Sequence, residues 1–225
     1  MTERACLVTS RTDPTHTILV ATTNPGKIRE LRAMLGGDVQ WKSLADFPEV
    51  REVKEDGATF AENARKKATG YAQATGLWTL ADDSGLVVDA LGGEPGVNSA
   101  RFSGERSKGA DRKLLDRRNM DKVLSLLKGV PADKRTARFV CCLCLASPQE
   151  VLLETQGTLE GLIIDKPAGT GGFGYDPIFY VPQIGKTVAQ LGEEEKNAIS
   201  HRGNALRKLR PLLDELLSAQ QDQRS

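Results

Sequence analysis

The stretch Leu77-Trp-Thr-Leu-Ala-Asp-Asp-Ser-Gly-Leu-Val-Val88 decides the fold, because two apolar segments in it flank a short polar group. Residues 77–81 follow a glycine and are mostly apolar, which is typical of a buried strand. We predict that this strand ends at Asp82 and Asp83, and that a second apolar segment begins at Leu86. A buried strand must be covered by other elements, so helices are expected on both sides of it in the chain.

Four amphipathic helices are predicted from apolar residues that recur every three or four positions. The helix before the decisive strand begins at a capping box of Thr59 and Glu62 and ends near Gly76. Residues 106–118 carry many charges of both signs and are predicted to form a solvated loop or helix face. The apolar positions of the four helices are Ile28, Leu31 and Leu35; Phe60, Ala64, Ala68, Tyr71 and Ala72; Met120, Val123, Leu124 and Leu127; and Leu206, Leu209, Leu213 and Leu216.

Further strands are predicted at residues 17–22, 136–146, 151–156 and 178–181. The second and third of these flank Ser147-Pro-Gln149 and are expected to pair as a hairpin. A hairpin is antiparallel, whereas strands that alternate with helices favour parallel pairing. The sequence therefore predicts an α/β fold in which helices flank a mixed sheet.

The chain has 225 residues, enough for one large domain or two small ones. We expect a mobile arm at 1–16, a single domain at 17–219 and a tail at 220–225. With 31 basic and 30 acidic residues the net charge is +1, which gives no bulk attraction to nucleic acid or an anionic membrane. No apolar run is long enough to span a membrane and residues 1–16 lack an apolar signal core, so a cytoplasmic protein is expected.

The sequence matches known phosphate-binding and catalytic motifs only in part. Gly185-Lys186-Thr187 resembles the end of a phosphate-binding P-loop, but Tyr180 stands where the leading glycine belongs. The glycine run 169–174 matches a dinucleotide fingerprint, yet it leads through Pro177 into a strand rather than opening a helix. Two histidines in the whole chain exclude an H-E-x-x-H zinc site and disfavour a Ser-His-Asp hydrolase.

Cys141 and Cys144 form a C-x-x-C pattern inside the predicted strand 136–146. Residues three apart on a strand point to opposite faces, so a shared metal or a disulfide is disfavoured. We expect these thiols to be reduced and packed as small apolar groups.

Two candidate sites lie where predicted strands end. Residues 22–27 open a helix, whose N–H groups could hold a phosphate together with Lys27; an ordinary Asn-Pro-Gly turn is the alternative. Asp82 and Asp83 could hold a divalent cation such as Mg²⁺, and one of them could activate water. A polar turn with a capping aspartate is the alternative there.

Two more candidates lie in the last third of the chain. Residues 173–176 combine two aromatic side chains and an acid in a glycine-rich loop, which could stack on a nucleobase or simply follow a tight path. Residues 196–203 contain a cationic cluster that could hold an anion or face solvent. Each candidate is weak when taken alone.

Six segments in order along the chain closely resemble the motifs of the Ham1/RdgB family of inosine/xanthosine triphosphate pyrophosphatases. Their span covers nearly all of the chain after the arm, and the order makes the resemblance specific. The segments are Thr22-Thr-Asn-Pro-Gly-Lys27, Glu55-Asp-Gly-Ala-Thr-Phe-Ala-Glu-Asn63, Ala81-Asp-Asp-Ser-Gly-Leu86, Pro95-Gly-Val-Asn-Ser-Ala-Arg101, Gly171-Gly-Phe-Gly-Tyr-Asp-Pro177 and Ser200-His-Arg-Gly203.

The resemblance implies an elongated mixed sheet in two lobes with a central cleft, usually assembled as a homodimer. It implies Mg²⁺-dependent hydrolysis of noncanonical purine nucleoside triphosphates, such as ITP, dITP and XTP, to the monophosphate and pyrophosphate. Asp83 would be the proton acceptor and, with Glu55, a Mg²⁺ ligand. The residues implied to bind substrate are Thr22, Thr23, Asn24, Pro25, Gly26, Lys27, Ser84, Phe173, Gly174, Tyr175, Asp176, Lys196, His201 and Arg202.

This sequence departs from the family pattern in two places. Many relatives have two acidic residues before the Thr-Gly or Asp-Gly step, whereas here Lys54 precedes Glu55, which leaves Glu55 as the only acidic candidate before Asp56-Gly57. The basic stretch 106–118 is also several residues longer than is typical. Two other function classes stay open: a nucleotide sensor without catalysis, and a Maf-type pyrophosphatase. Asp83 argues against the sensor, because a carboxylate repels a triphosphate unless a metal intervenes, and the segments 173–176 and 200–203 argue against the Maf type.

Overall fold

The computed structural model describes residues 16–35, 39–104 and 112–222, so residues 1–15 of the predicted arm lie outside it. Within these ranges the chain forms five α-helices and one seven-stranded sheet. The strands are β1 (His16–Val20), β2 (Val39–Ser43), β3 (Trp78–Val88), β4 (Thr136–Ala146), β5 (Val151–Ile163), β6 (Phe179–Val181) and β7 (Lys186–Thr187). The helices are α1 (Pro25–Leu35), α2 (Phe60–Thr75), α3 (Arg112–Leu126), α4 (Glu193–Ile199) and α5 (His201–Asp222).

The sheet is mixed, which confirms the prediction from the hairpin and the alternating helices. Its strand order is β2-β1-β3-β4-β5-β6-β7. Strand β1 runs parallel to both of its neighbours, whereas every pairing from β3 to β7 is antiparallel. The predicted hairpin is the β4–β5 pair, and β5 continues beyond the predicted end to Ile163.

Helices cover both faces of the sheet, which confirms the α/β class. Leu80 and Cys141 lie on the face covered by α1 and α5, and Ala81 and Cys144 lie on the face covered by α2. This division follows the alternation of side chains along a strand, and it confirms that the two cysteines point to opposite faces. A third apolar cluster surrounds Phe179 near the β6 end of the sheet.

Helix α2 begins and ends as the sequence predicts. The Thr59 hydroxyl accepts a hydrogen bond from the backbone N–H of Glu62 at 3.2 Å, and Gly76 ends the helix with a positive φ of 72°. A threonine cap of this kind contributes about 1 kcal/mol, and glycine adopts the left-handed conformation without a Cβ clash. The helix is therefore fixed at both ends beside β3.

The predicted end of this strand at Asp82 and Asp83 is wrong, because β3 continues through both aspartates to Val88. Asp82 pairs with Leu143 and Asp83 with Cys142 in a ladder that β4 maintains over the length of the strand. The polar residues are tolerated inside a strand because their side chains meet charged partners on either face, as described below. Local polarity alone could not reveal those partners.

Other boundaries also differ from the predictions. Helix α3 begins at Arg112, so the described part of 106–118 is helical, which agrees with the predicted helix face. Leu115 is the one buried position of 112–118, so the apolar pattern did not show where the helix begins. The last helix begins at His201, so the cationic cluster is divided between α4 and the first turn of α5. That helix reaches Asp222, well into the predicted tail. No helix in the described ranges is long and apolar enough to cross a membrane.

Candidate active site

A cavity of about 550 Å³ lies where the middle of β3, the start of α1, the loop 171–176 and the start of α5 meet. It brings together nearly all of the residues predicted for the site, although they are far apart in the chain. Pro25 and Gly26 begin α1 between two lining residues, Asn24 and Lys27. The predicted residues that line the cavity are Thr22, Thr23, Asn24, Lys27, Glu55, Asp83, Ser84, Phe173, Gly174, Tyr175, Asp176, Lys196, His201 and Arg202.

The start of α1 is ordered by the side chains of the predicted phosphate segment itself. Asn24 Oδ1 accepts a hydrogen bond from the backbone N–H of Gly26 at 2.9 Å, and the Thr22 hydroxyl accepts from the N–H of Asn24 at 3.1 Å. A Cβ on Gly26 would stand only 3.0 Å from the Phe173 ring, so the glycine permits close contact between this turn and the glycine loop. The helix terminus and the loop therefore form adjoining walls of the cavity.

Asp82 is a fully buried carboxylate that holds the cations of the site. Its Oδ1 contacts the Lys27 ammonium and the Ser84 hydroxyl, and its Oδ2 accepts from Arg202 Nε at 2.8 Å and from the Cys141 thiol at 3.1 Å. Burial alone would raise the pKa of Asp82, but Arg202 and Lys27 hold it well below its ordinary value. Asp82 is therefore a charged anchor for the site rather than a group that exchanges protons.

Glu30 on α1 links Arg202 to Lys196. One oxygen accepts from Arg202 Nη1 at 2.5 Å, and the other lies 3.3 Å from Lys196 Nζ. Lys196 in turn donates to Asp176 Oδ2 at 2.8 Å and lies 4.7 Å from the centroid of the Phe173 ring. Cations and carboxylates therefore alternate from Lys27 through Asp82, Arg202, Glu30 and Lys196 to Asp176, and their charges balance.

Asp83 faces the other side of the sheet and belongs to a separate charged group. Lys67 on α2 donates to Asp83 Oδ1 at 3.1 Å, to Glu55 Oε2 at 2.9 Å and to the carbonyl oxygen of Asp82 at 2.8 Å. Among the described residues, nothing forms a hydrogen bond with the buried Asp83 Oδ2. Burial raises the pKa of Asp83 although Lys67 and Lys27 oppose the change, whereas Lys67 outweighs burial at Glu55 and lowers its pKa.

His201 is a buried neutral imidazole at the opposite wall of the cavity. Its ring stacks on Phe139 with centroids 4.9 Å apart, and within the described chain its buried Nδ1 has no hydrogen-bond partner. Burial lowers the pKa of His201 well below its ordinary value, and the neighbouring Arg202 lowers it further. A neutral imidazole of this kind can donate or accept one hydrogen bond at a ligand.

Two site residues were missed from the sequence, Lys67 and Glu30. Lys67 occupies a position of the α2 apolar stripe between Ala64 and Tyr71, and a charge on a buried stripe was the available signal. Glu30 follows Lys27 by three residues on α1 and so lies on the same helix face, but its partners come from α4 and α5. Such long-range pairing is not visible in local spacing.

Most of this chain is similar in sequence to one family of known proteins. Residues 18–212 match the model of the Ham1 family. The chain belongs to the Ham1 family. A dITP/XTP pyrophosphatase of Geobacter sulfurreducens is 54% identical to it over 190 residues, which cover 84% of this chain and 92% of that relative. A second, from Geobacillus kaustophilus, is 49% identical over 201 residues, covering 89% and 95% of the two chains.

Solved Ham1 structures share the fold described above. A HAM1 protein from Coxiella burnetii matches with a TM-score of 0.79 at 40% identity, over 89% of this chain and 99% of that one. The Staphylococcus aureus Ham1 protein matches with a TM-score of 0.77 at 40% identity, over 88% and 98% of the two chains. The mixed sheet flanked by helices is thus the Ham1 fold, as the sequence motifs implied.

Glu55 and Asp83 are the acidic residues of this Ham1-family protein that could hold a cation. In the described ranges no three His, Cys, Asp or Glu side chains converge as a ready-made metal cage. Glu55 and Asp83 share the single Lys67 ammonium, so the group has one excess negative charge, and the buried Asp83 Oδ2 has no partner there. Mg²⁺ commonly takes one or two carboxylates and completes its shell with water and phosphate oxygens. The donor set fits such an ion.

Proposed function

We propose that this Ham1-family protein hydrolyses noncanonical purine nucleoside triphosphates, such as ITP, dITP and XTP, to the nucleoside monophosphate and pyrophosphate. The observation that supports this proposal most directly is that one carboxylate, Asp83, lines the same cavity as three cations, Lys27, Lys196 and Arg202. The names of the relatives, dITP/XTP pyrophosphatases, support the same substrate class. A homodimer is part of the proposal and rests on the resemblance of the sequence motifs. A cytoplasmic location is also part of it and rests on the sequence-based expectation given above.

The phosphate end of the proposed site lies at the start of α1. Lys27 supplies a full positive charge and the helix terminus a partial one, at the wall formed by Thr22 through Lys27. Lys67 adds a second ammonium between Glu55 and Asp83. Charges fixed before the substrate arrives stabilise the departing pyrophosphate without reorganising during the reaction.

Asp83 is the proposed general base. Its carboxylate is mostly buried, and the raised pKa brings it closer to that of a proton acceptor that works near neutral pH. In this role Asp83 accepts the proton of the water that attacks the α-phosphorus, while the bond between that phosphorus and the pyrophosphate oxygen breaks. A Mg²⁺ ion held by Asp83 and Glu55 would supply charge neutralisation at the phosphate oxygens.

The base end of the proposed site is formed by Phe173, Asp176, His201 and Arg202. Phe173 offers a ring face for stacking, and Arg202 carries only donors, which suit the 6-oxo group of hypoxanthine or xanthine. An adenine amino group would leave such a donor unpaired, at a cost of about 1 to 3 kcal/mol. That difference corresponds to about ten- to hundred-fold discrimination.

The test is pyrophosphate release from ITP, XTP, dITP, GTP, ATP and dTTP, measured with Mg²⁺ and with EDTA. We expect turnover of the first three with Mg²⁺ and none with EDTA. Asp83→Asn should lower kcat by about 100-fold or more, because a positioned base is lost. Asp89→Asn, an exposed aspartate just past the end of β3, is the matched control and should retain wild-type turnover.

Two outcomes would contradict the proposal in different ways. Binding of ITP without any turnover would support a nucleotide sensor. A preference for dTTP over every purine nucleotide would support a Maf-type activity instead.

A further inference from the structure

The glycine loop is held from outside by a carboxylate of helix α3. The backbone N–H of Gly174 donates to Asp116 Oδ2 at 2.9 Å, and Gly174 has a positive φ of 62°. The Asp116 side chain is only 13% exposed and lines the cavity. Its other oxygen, Oδ1, lies 3.3 Å from Arg112 Nε on the same helix. The loop is therefore anchored at one of its positive-φ glycines.

Helix α3 is itself fixed, so it can present Asp116 at a defined place. Asn119, three residues further on, accepts from the backbone N–H of Ser103 at 2.8 Å and donates to the carbonyl of Ala100 at 3.3 Å. These bonds tie α3 to the segment that precedes it. Tyr175 connects the loop to the same segment, because its hydroxyl donates to the carbonyl oxygen of Ser99 at 2.8 Å.

The anchored residue stands between the two loop residues assigned to the nucleoside. Phe173 precedes Gly174, and its backbone N–H donates to Asp176 Oδ2 at 2.9 Å. That same oxygen accepts from Lys196. A change in the backbone at Gly174 would consequently move the Phe173 ring and alter the Asp176 carboxylate together.

We propose that Asp116 is a positioning residue for nucleoside recognition, which holds Gly174 so that Phe173 and Asp176 keep their places in the cavity. This inference rests on the proposed function for the assignment of that loop to the base and sugar. Asp116 acts on binding and not on the chemical step, because Asp83 lies on β3 and does not depend on the loop. The expected signature is a raised KM with little change in kcat.

The size of the change in KM depends on the fraction of molecules in which the glycine loop has the conformation that binds the nucleoside. A ligand that binds only one loop conformation loses apparent affinity in proportion to the fraction that remains competent. Loss of one hydrogen bond to a carboxylate should raise KM for ITP by about ten-fold or more. Asparagine retains an acceptor oxygen, so Asp116→Asn should restore KM to within about two-fold of wild type.

The experiment compares Asp116→Ala and Asp116→Asn with two controls on the same helix. Arg117→Ala removes an exposed cation next to Asp116 that does not line the cavity, and Asp121→Ala removes an exposed carboxylate. Each protein is assayed for KM and kcat with ITP and for competitive inhibition by inorganic tripolyphosphate, which has no nucleoside. Affinity for IMP is measured by calorimetry in parallel.

We expect Asp116→Ala alone to raise KM and weaken IMP binding, with kcat and tripolyphosphate inhibition within about two-fold of wild type. An unchanged KM and IMP affinity in this variant would overturn the inference. So would an equal effect of Arg117→Ala, or a parallel loss of tripolyphosphate inhibition. If the wild-type protein released no pyrophosphate, the proposed function would fail, and the IMP affinities would still decide the role of Asp116.

Discussion

Replacing Asp82 with asparagine removes the negative charge that Lys27 and Arg202 share inside the protein. The Asp82 and Arg202 side chains are 0% and 1% exposed, so the value for a buried pair applies. Removing one partner of such a pair costs about 3 to 5 kcal/mol, because the other charge stays buried and uncompensated. Arg202 keeps its second carboxylate, Glu30, so we expect the lower end, about 3 kcal/mol.

The effect should also depend on pH in a defined direction. Because the pKa of Asp82 is lowered in the folded state, its charge stabilises the fold at every pH above the unfolded pKa of about 4. That stabilisation is lost as the pH falls from there toward the lower pKa of the folded state. The difference between wild type and Asp82→Asn should thus be constant near neutrality and shrink below pH of about 4.

The assay is equilibrium unfolding in urea between pH 3 and pH 8, followed by circular dichroism. A loss of about 3 kcal/mol moves the midpoint by about 1 to 2 M. Asp89→Asn is the matched control, since its pair with Arg138 is exposed and should contribute under about 1 kcal/mol. A change in Asp82→Asn no larger than in this control, or one that does not diminish in acid, would refute the reasoning.

Two further predictions concern packing on β4 and β5. In a Cys6→Ser variant, Ellman's reagent should label the folded protein at pH 8 about 100-fold more slowly than it labels a free thiol. The reason is that burial raises the pKa of Cys142 to about 11 and shields the thiols of Cys141 and Cys144 from the reagent. Labelling at the free-thiol rate would contradict this. Gly157→Ala should lower the free energy of unfolding by about 1 to 3 kcal/mol, because its Cβ would collide with the backbone at His201. Gly192→Ala, which meets nothing closer than 3.8 Å, is its control in the same urea titration, and equal midpoints for the two would count against the collision.

Elements with strong local signals were predictable from the sequence. The α2 cap at Thr59, its end at Gly76 and the hairpin of residues 136–156 depend on neighbouring residues, so spacing was sufficient. The strands β7 and β2 were not predicted. Strand β7 has only two residues and shows no periodic pattern, although it pairs with the nearby β6. The edge strand β2 depends on its pairing with β1, which lies more than 20 residues earlier in the chain. For the same reason, the polar middle of β3 resembled a turn until its ladder with β4 was known.

The site was predictable as a set of residues but not as a set of contacts. Six ordered motifs named most of the cavity lining, including Asp83 and Arg202. They did not reveal that Asp82 is a buried anchor, because that role depends on partners from α1 and α5. Lys67 and Glu30 lay outside the quoted motifs altogether, and only the fold brings them to the carboxylates and cations that they contact.

The pleat of β3 limits how this protein can change over generations. Loops at the surface can gain or lose residues without moving the chemistry, since they carry no alternating register. Deletion of a single residue early in β3 would exchange the sides on which the two adjacent acids project. The guanidinium of α5 would then lose its anchor and the lysine of α2 its carboxylate in one event. Inherited variation in this strand is thereby restricted to substitutions that keep its length.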